Sequence, residues 1–319
     1  MKNIDNDNSS IPNELKRAQR VEKKTKQVLD TKIERRGFLK MAAAAAAATL
    51  PAKEAPAFFD FFKKHYKEMT PAEKKVAIAK LEKKLEKKLG LDINVTNPDP
   101  IDNAHFVYGL DLSKCNGSRK CVTACVKENN QGRDPAIQYI KVLEMDIGTM
   151  NLEKGDQYYN GIVPKKGKFY MPIQCHQCDN PPCVKSCPVE ATWKEKDGIV
   201  VIDSEWCIGC RYCMAACPYE ARRFNYSEPK IPKKEVNTTQ GYLSNRVKPK
   251  GVVEKCHFCL HRTREGKLPA CQEACPTGAR KFGNLNDPKS DVAIIFKKKR
   301  IFVLKEELNT SPRFFYYFG

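Results

Sequence analysis

Fifteen cysteines fall into four tight groups. They are Cys115/Cys121/Cys125, Cys175/Cys178/Cys183/Cys187, Cys207/Cys210/Cys213/Cys217 and Cys256/Cys259/Cys271/Cys275. The third group has the spacing C-x2-C-x2-C-x3-C-P, which holds cubane iron–sulfur clusters. Thiolates are soft ligands that select iron together with sulfide, so the spacing points to electron transfer. Zinc also takes C-x2-C pairs. It does not account for the third close cysteine of that group, nor for the endings Cys187-Pro188, Cys217-Pro218 and Cys275-Pro276. An odd number of cysteines argues against a pure disulfide scaffold. A Rieske centre needs two histidine ligands, and Cys259-Leu260-His261 supplies only half of such a pattern.

In a two-cluster ferredoxin each loop gives three ligands to one cluster, and its fourth cysteine reaches across to the other. This rule groups Cys175, Cys178 and Cys183 with Cys217, and Cys207, Cys210 and Cys213 with Cys187. By the same rule Cys256, Cys259 and Cys271 take Cys125, and Cys115 and Cys121 take Cys275. The last set is one ligand short, and Ser118 stands at the vacant position in Cys115-x2-Ser118-x2-Cys121. Three outcomes are open there. The corner can lose its iron and leave a [3Fe-4S] cluster, the outcome that three thiolates suit. Ser118 or water can ligate a fourth iron through oxygen, or the cluster can be absent. The expected cofactors are therefore three [4Fe-4S] clusters and one [3Fe-4S] cluster, with four [4Fe-4S] clusters as the alternative. A three-iron cluster would have the higher potential and act as an acceptor or gate at one end of the row. His176 and His257 lie inside complete cysteine loops, so hydrogen bonding to sulfur or backbone, tuning potential, is their expected role. Trp206, Arg211, Tyr212 and Phe224 flank the third loop and are expected to shield it.

The elements that must position these groups are short. Thr70 reads as an N-cap with Pro71 at the first helical position, and the helix runs through Val76, Ile78, Leu81, Leu85 and Leu89 to Gly90. Its apolar stripe is expected to dock on the body or on a partner. Phe106–Leu112 reads as a strand leading into the first group. Residues 126–172 form an insertion with strand-like pieces at 138–145 and 168–173. Between the second and third groups a strand, an Asp197-Gly198 turn and a strand are expected, following a short helix placed after Cys-Pro. Residues 227–250 are polar and read as a loop. The tail ends in Phe314, Phe315, Tyr316, Tyr317 and Phe318, a pattern expected to anchor on a partner. Four clusters with their loops would stand in for apolar packing, so no large core is expected.

The 319-residue chain carries a formal charge of +19, which suggests nucleic acid as a partner. Residues 1–57 hold +5 of it, and each thiolate-ligated cluster adds about −2. The remainder is ordinary, and no nucleic-acid partner is expected. Glu34-Arg35-Arg36-Gly37-Phe38-Leu39-Lys40, followed by Met41 and an alanine run, resembles a twin-arginine export signal. Ala55-Pro56-Ala57 has the form of a cleavage site. Phe58, Phe59, Phe61 and Phe62 follow it as an apolar cluster. Clusters are assembled in the cytoplasm, so a route that carries folded proteins is the physically consistent one. The expected location is the periplasmic, extracytoplasmic face, peripheral to the membrane. Nothing else in the chain is apolar over 18 residues, so no transmembrane helix is expected.

Gln174-Cys175-His176-Gln177-Cys178-Asp179-Asn180-Pro181-Pro182-Cys183 and Cys207-Ile208-Gly209-Cys210-Arg211-Tyr212-Cys213-Met214-Ala215-Ala216-Cys217-Pro218-Tyr219 carry a family resemblance. Over about residues 110–285 the chain resembles the four-cluster iron–sulfur subunits of molybdopterin oxidoreductases of the dimethyl-sulfoxide-reductase and polysulfide-reductase type. Ser118 departs from the usual four-iron members and resembles members with one [3Fe-4S] cluster. The resemblance implies an α+β fold of two ferredoxin-like modules of the 2×[4Fe-4S] type, one inserted in the other, with an N-terminal helix and a C-terminal tail. The expected organisation is a signal region at 1–57, a helical extension at 58–100, an outer module at 101–172 and 251–285, an inner module at 173–226, a loop at 227–250 and a partner-binding tail at 286–319. The implied partners are a molybdopterin-bearing catalytic subunit and a polytopic quinone-interacting membrane subunit, with cytochrome c a further candidate. The implied function is electron relay without catalysis in an exported respiratory complex. A free-standing soluble ferredoxin-type carrier is the alternative, and neither the helix nor the aromatic tail suits it. No phosphate-cradling loop and no nucleophile–base set suggests an enzyme in its own right.

Overall fold

The computed structural model of the protein describes residues 65–319. The export motif at 34–40, the alanine run, Ala55-Pro56-Ala57 and the phenylalanine cluster at 58–62 lie outside the described residues.

The first long element is helix α1, Pro71–Leu89. Thr70 caps it by accepting from the Glu73 backbone N–H, while the Glu73 carboxylate accepts from the Thr70 N–H at 2.7 Å. This reciprocal capping box and the left-handed Gly90 set its two ends. Leu81 and Leu85 are buried against the body, whereas Val76 is exposed. The stripe thus docks within the chain.

The remaining elements follow a circuit. Strand β1 is Asn94–Thr96, and β2 is Phe106–Asp111. Helix α2, Lys120–Glu128, leads to β3, Lys141–Asp146, and β4, Lys168–Ile173. Short helix α3, Pro182–Lys185, precedes β5, Thr192–Lys194, and β6, Val200–Ile202. Helix α4, Tyr212–Ala215, precedes β7, Arg222–Phe224, then β8, Thr239–Gly241, and β9, Val253–Lys255. Helices α5, Leu260–Thr263, and α6, Ala270–Glu273, precede β10, Arg280–Asn284. Helix α7, Asp291–Lys298, and strands β11, Ile301–Phe302, and β12, Phe314–Tyr317, finish the chain.

Each cysteine loop is entered by one strand and left by another. The strand that leaves one loop pairs antiparallel with the strand that enters the next: β3 with β4, β5 with β6 and β7 with β9. Strand β10 then pairs antiparallel with β2, which closes the circuit. The strands are short because each only spans the gap between two loops.

Four expectations need correction. The short helices do not follow the Cys-Pro pairs; α3, α4 and α6 lie inside the loops and carry Cys183, Cys213 and Cys271. Pro182 opens α3 and Pro269 precedes α6, because proline's fixed φ suits a helix start. Second, residues 227–250 are not a simple solvated loop. Strand β8 pairs parallel with β1, and Gln240–Lys248 is buried. Buried polar side chains satisfy its backbone: Asn130 donates to the carbonyls of Asn237 and Asn245, and Gln240 accepts from the Val247 N–H. Third, the aromatic tail is built into the chain's own sheet, with only Phe318 of its five aromatic residues exposed. Strand β12 lies between β2 and β11, with Phe314, Phe315, Tyr316 and Tyr317 all at most 4% exposed. Phe314 stacks on Tyr108 at 5.0 Å. Fourth, an extensive apolar core does form. It links α1, β2, the aromatic tail and buried cysteines of three of the four groups, with half-buried Cys217 of the remaining group packed against it. No helix among the described residues is long and apolar enough to cross a membrane.

Candidate iron–sulfur sites

All fifteen cysteines are free thiols. A recurrent backbone shape presents them. The residue two places after the first cysteine of each group is left-handed: Gly117 at φ 72°, Gln177 at 47°, Gly209 at 72° and Phe258 at 53°. The residue that follows is Ser118, Cys178, Cys210 or Cys259. Ser118 therefore occupies the same turn position as the second cysteine of the other three loops. A second left-handed residue comes three places after Cys187, Cys217 and Cys275, at Glu190, Glu220 and Gly278. Left-handed residues alternating with ordinary ones turn successive N–H groups to one side, which makes a concavity for an anion.

Sulfurs from different loops gather together. Burial pushes the Cys178 thiol up to about 12, with Cys175, Cys183 and Cys217 as neighbouring sulfurs. Burial likewise raises Cys125 well above the usual thiol range, and Cys271, Cys256 and Cys259 add to it. Burial raises Cys115 to about 11 beside Cys121 and Cys275. Cys213 neighbours Cys207 and Cys183. Cys275 is the exception in sign. Burial works against its thiolate, but the Thr277 hydroxyl and the N–H groups of Arg280, Thr277 and Ala279 hold it below the usual range. Its Cys-Pro turn has delivered those donors.

Sulfurs of different sets that act on one another electrostatically give the sets an order. Cys183 neighbours Cys213, Cys175 neighbours Cys256, and Cys121 neighbours Cys271. The sets thus run from Cys207/Cys210/Cys213, through Cys175/Cys178/Cys183/Cys217 and Cys125/Cys256/Cys259/Cys271, to Cys115/Cys121/Cys275. At the first end Cys210 is exposed, with Ile208 and Tyr212 also open to solvent. Arg211 lies over the rings of Phe224 and Tyr226, and the Trp206 indole donates to the Val189 carbonyl. At the other end Cys115, Ser118, Cys121, Cys275 and Arg280 line one cavity.

The groups that touch sulfur are not the expected histidines. His176 is stacked 3.9 Å from Tyr219 and 5.2 Å from Phe314, and burial lowers its pKa to about 3. His257 is held well below its usual range, first by burial. Neither nitrogen of either ring has a hydrogen-bond partner. Instead Gln131 donates to Cys125 Sγ at 3.2 Å and Asn129 to the same atom at 3.5 Å. Tyr108 Oη lies 3.3 Å from Cys271 Sγ, and Arg222 Nη2 donates to Cys183 Sγ at 3.0 Å. Gln174 reaches Cys256 Sγ at 4.0 Å. The signal available in sequence was position within the repeat: Arg222 and Arg280 each stand five places after a Cys-Pro cysteine.

The donor set fits iron–sulfur clusters. The thiols are unpaired and all but Cys210 are buried or half-buried, and Nε and Nη1 of Arg222 and Nη2 of Arg280 are buried without an acceptor. Iron binding would release the thiol protons that burial retains at Cys125, Cys178, Cys256 and Cys259.

Comparison with known proteins agrees. A family model described as a 4Fe-4S dicluster domain matches residues 167–240 and 228–285. A subunit of the selenate reductase of Mesobacillus selenatarsenatis is 39% identical over 236 residues, 70% of this chain and 76% of that protein. A putative dimethyl sulfoxide reductase iron-sulfur subunit of Halobacterium salinarum is 41% identical, covering 66% of this chain and 79% of that one. A subunit of the tetrathionate reductase of Salmonella typhimurium is 36% identical, covering 65% and 70%.

Proposed function

The chain belongs to the family of iron–sulfur electron-transfer subunits of molybdopterin oxidoreductases, and we propose that it is the electron relay of an exported, membrane-associated respiratory complex. The single observation that carries the relay is the ordered row of four cysteine sets. We assign one cluster to each set. Cys207, Cys210, Cys213 and Cys187 hold the first, and Cys175, Cys178, Cys183 and Cys217 the second. Cys256, Cys259, Cys271 and Cys125 hold the third, and Cys115, Cys121 and Cys275 the fourth, a [3Fe-4S] cluster beside Ser118. When bound, these clusters supply one-electron carriers.

The protein's own part is to hold, enclose and bias. Cys125, Cys256, Cys259 and Cys271 are buried, which keeps water from the third set. Asn129, Gln131 and Tyr108 donate toward its sulfurs, and such bonds raise a cluster's potential by stabilising added negative charge. The two-module organisation, with 173–226 inserted between 101–172 and 251–285, is supported by the exchange of fourth cysteines. Strand pairing of β7 with β9 ties the inner module to the outer one.

Relatives named as subunits of selenate, dimethyl sulfoxide and tetrathionate reductases support a molybdopterin-bearing catalytic subunit as one partner. Two further relatives are named as a menaquinol oxidoreductase iron-sulfur subunit and a menaquinone reductase iron-sulfur cluster-binding subunit, which supports a quinone-reactive membrane subunit as the other. The Arg35-Arg36 motif supports a twin-arginine route to the extracytoplasmic face. The test is iron and sulfide quantification of the native protein with electron paramagnetic resonance. Three four-iron clusters and one three-iron cluster, with a sharp signal when oxidised, are expected. Zinc in place of iron overturns the relay; about 16 irons with a silent oxidised spectrum overturns the three-iron site alone.

A further inference from the structure

Two buried arginines occupy matching places in the repeat. Arg222 stands five residues after Cys217 and opens β7; Arg280 stands five residues after Cys275 and opens β10. Each is 2% exposed. Among the described residues neither forms an ion pair with a carboxylate. A buried guanidinium without a counter-charge is strongly unfavourable, so the charge that compensates it must come from elsewhere.

Their surroundings show where. Arg222 Nη2 donates to Cys183 Sγ at 3.0 Å and to Thr192 Oγ1 at 3.1 Å, while Nε and Nη1 have no partner. The sulfurs acting on it are Cys183, Cys213 and Cys175, so it stands between the first and second sets. Arg280 Nη1 donates to Gln174 Oε1 at 2.8 Å and reaches Cys271 Sγ at 3.8 Å, while Nη2 has no partner. Cys121 and Cys271 act on it, so it stands between the third and fourth sets. It also lines the cavity of Cys115, Ser118, Cys121 and Cys275. A guanidinium carries five donors in a fixed plane and stays charged, so it can serve two anionic groups on two edges.

We infer that Arg222 and Arg280 are shared counter-ions, one for each pair of neighbouring clusters, and that each raises the reduction potentials of both members of its own pair. This rests on the cluster assignment proposed above. The positive charge favours the reduced state of either cluster. It also weakens repulsion between an electron on one cluster and an electron on its neighbour. Both arginines are positioning residues that act through the electrostatics of the site.

The test is potentiometric titration followed by electron paramagnetic resonance on native protein bearing Arg222→Gln, Arg280→Gln, Arg222→Lys or Arg280→Lys. Iron and sulfide are counted in each. In Arg222→Gln the first and second clusters should both become harder to reduce by at least about tenfold, equivalent to about 59 mV for one electron. The third and fourth should stay in place. Arg280→Gln should show the reverse pattern, and each Lys variant should keep wild-type potentials. A shift confined to one cluster, or none, in a fully loaded Gln variant overturns the inference and leaves the cluster assignment standing. If a Gln variant fails to load, the Lys variant decides. A loaded Lys variant with wild-type potentials supports the counter-ion role, and one that also loses clusters assigns the arginine to packing. Wild-type protein without four clusters refutes the assignment itself.

Discussion

Substituting alanine for Gly117 should empty one cluster site while sparing the other three. Gly117 has φ 72°, and a Cβ there would lie 2.4 Å from the Tyr170 ring. An L-residue in the left-handed region costs about 1–2 kcal/mol. Overpacking adds about 1–3 kcal/mol when the neighbour cannot yield. Tyr170 is poorly placed to yield. Its hydroxyl donates to Glu144 at 3.0 Å and accepts from the Lys165 N–H at 3.0 Å. Its ring also meets Tyr159 at 5.2 Å, and Tyr159 in turn donates to the Gly117 carbonyl. Arg119 lies 3.7 Å over the Tyr159 ring, which packs the segment around Tyr159 onto the loop. The combined penalty of about 2–5 kcal/mol falls on the turn that presents Ser118 and the flanking Cys115 and Cys121. Iron content should fall by about three atoms per chain, the complement of a [3Fe-4S] cluster. The sharp oxidised signal should vanish while the reduced four-iron signals persist. The apparent melting temperature should drop on the order of 5–15 °C. A Gly117→Ala protein with wild-type iron, an unchanged oxidised spectrum and a melting temperature within about 2 °C would refute the turn argument.

Two other outcomes follow from the same geometry. Ser118→Cys places a fourth thiol at the turn position held by Cys178, Cys210 and Cys259, so iron should rise by about one atom per chain and the three-iron signal should disappear; an unchanged spectrum would show that the loops are paired wrongly. Phe314→Ala removes a fully buried ring stacked between Tyr108 and His176 and should destabilise the isolated chain by about 3–5 kcal/mol. Denaturation of the chain alone measures this, and a negligible loss would restore the tail to a partner-binding role.

The chemistry was legible because ligands need particular atoms at particular intervals. Cysteine spacing grouped the candidate ligands, and the structure brings Cys178 to Cys217 and Cys125 to Cys256 across long stretches of chain. Helix α1 was legible because its capping residues act within one turn. The strand pieces at 138–145 and 168–173 were legible for a similar reason, since β3 and β4 bury side chains on a local pattern. The segment 227–250 was not. Its polarity resembles that of a loop, yet the side chains of Asn237 and Asn245 are spent on the Glu128 carbonyl, a backbone group that only folding brings near.

Residue type and interval alone determined the candidate ligands, their number and the odd corner at Ser118, because metal coordination depends on atoms the chain carries locally. Tertiary structure decided the rest. It placed the aromatic tail beside β2, set the row of cysteine groups in order and put Arg222 and Arg280 between neighbours. Those outcomes depend on contacts between residues far apart in the chain, where burial and unpaired charge are settled only when the strands close their circuit.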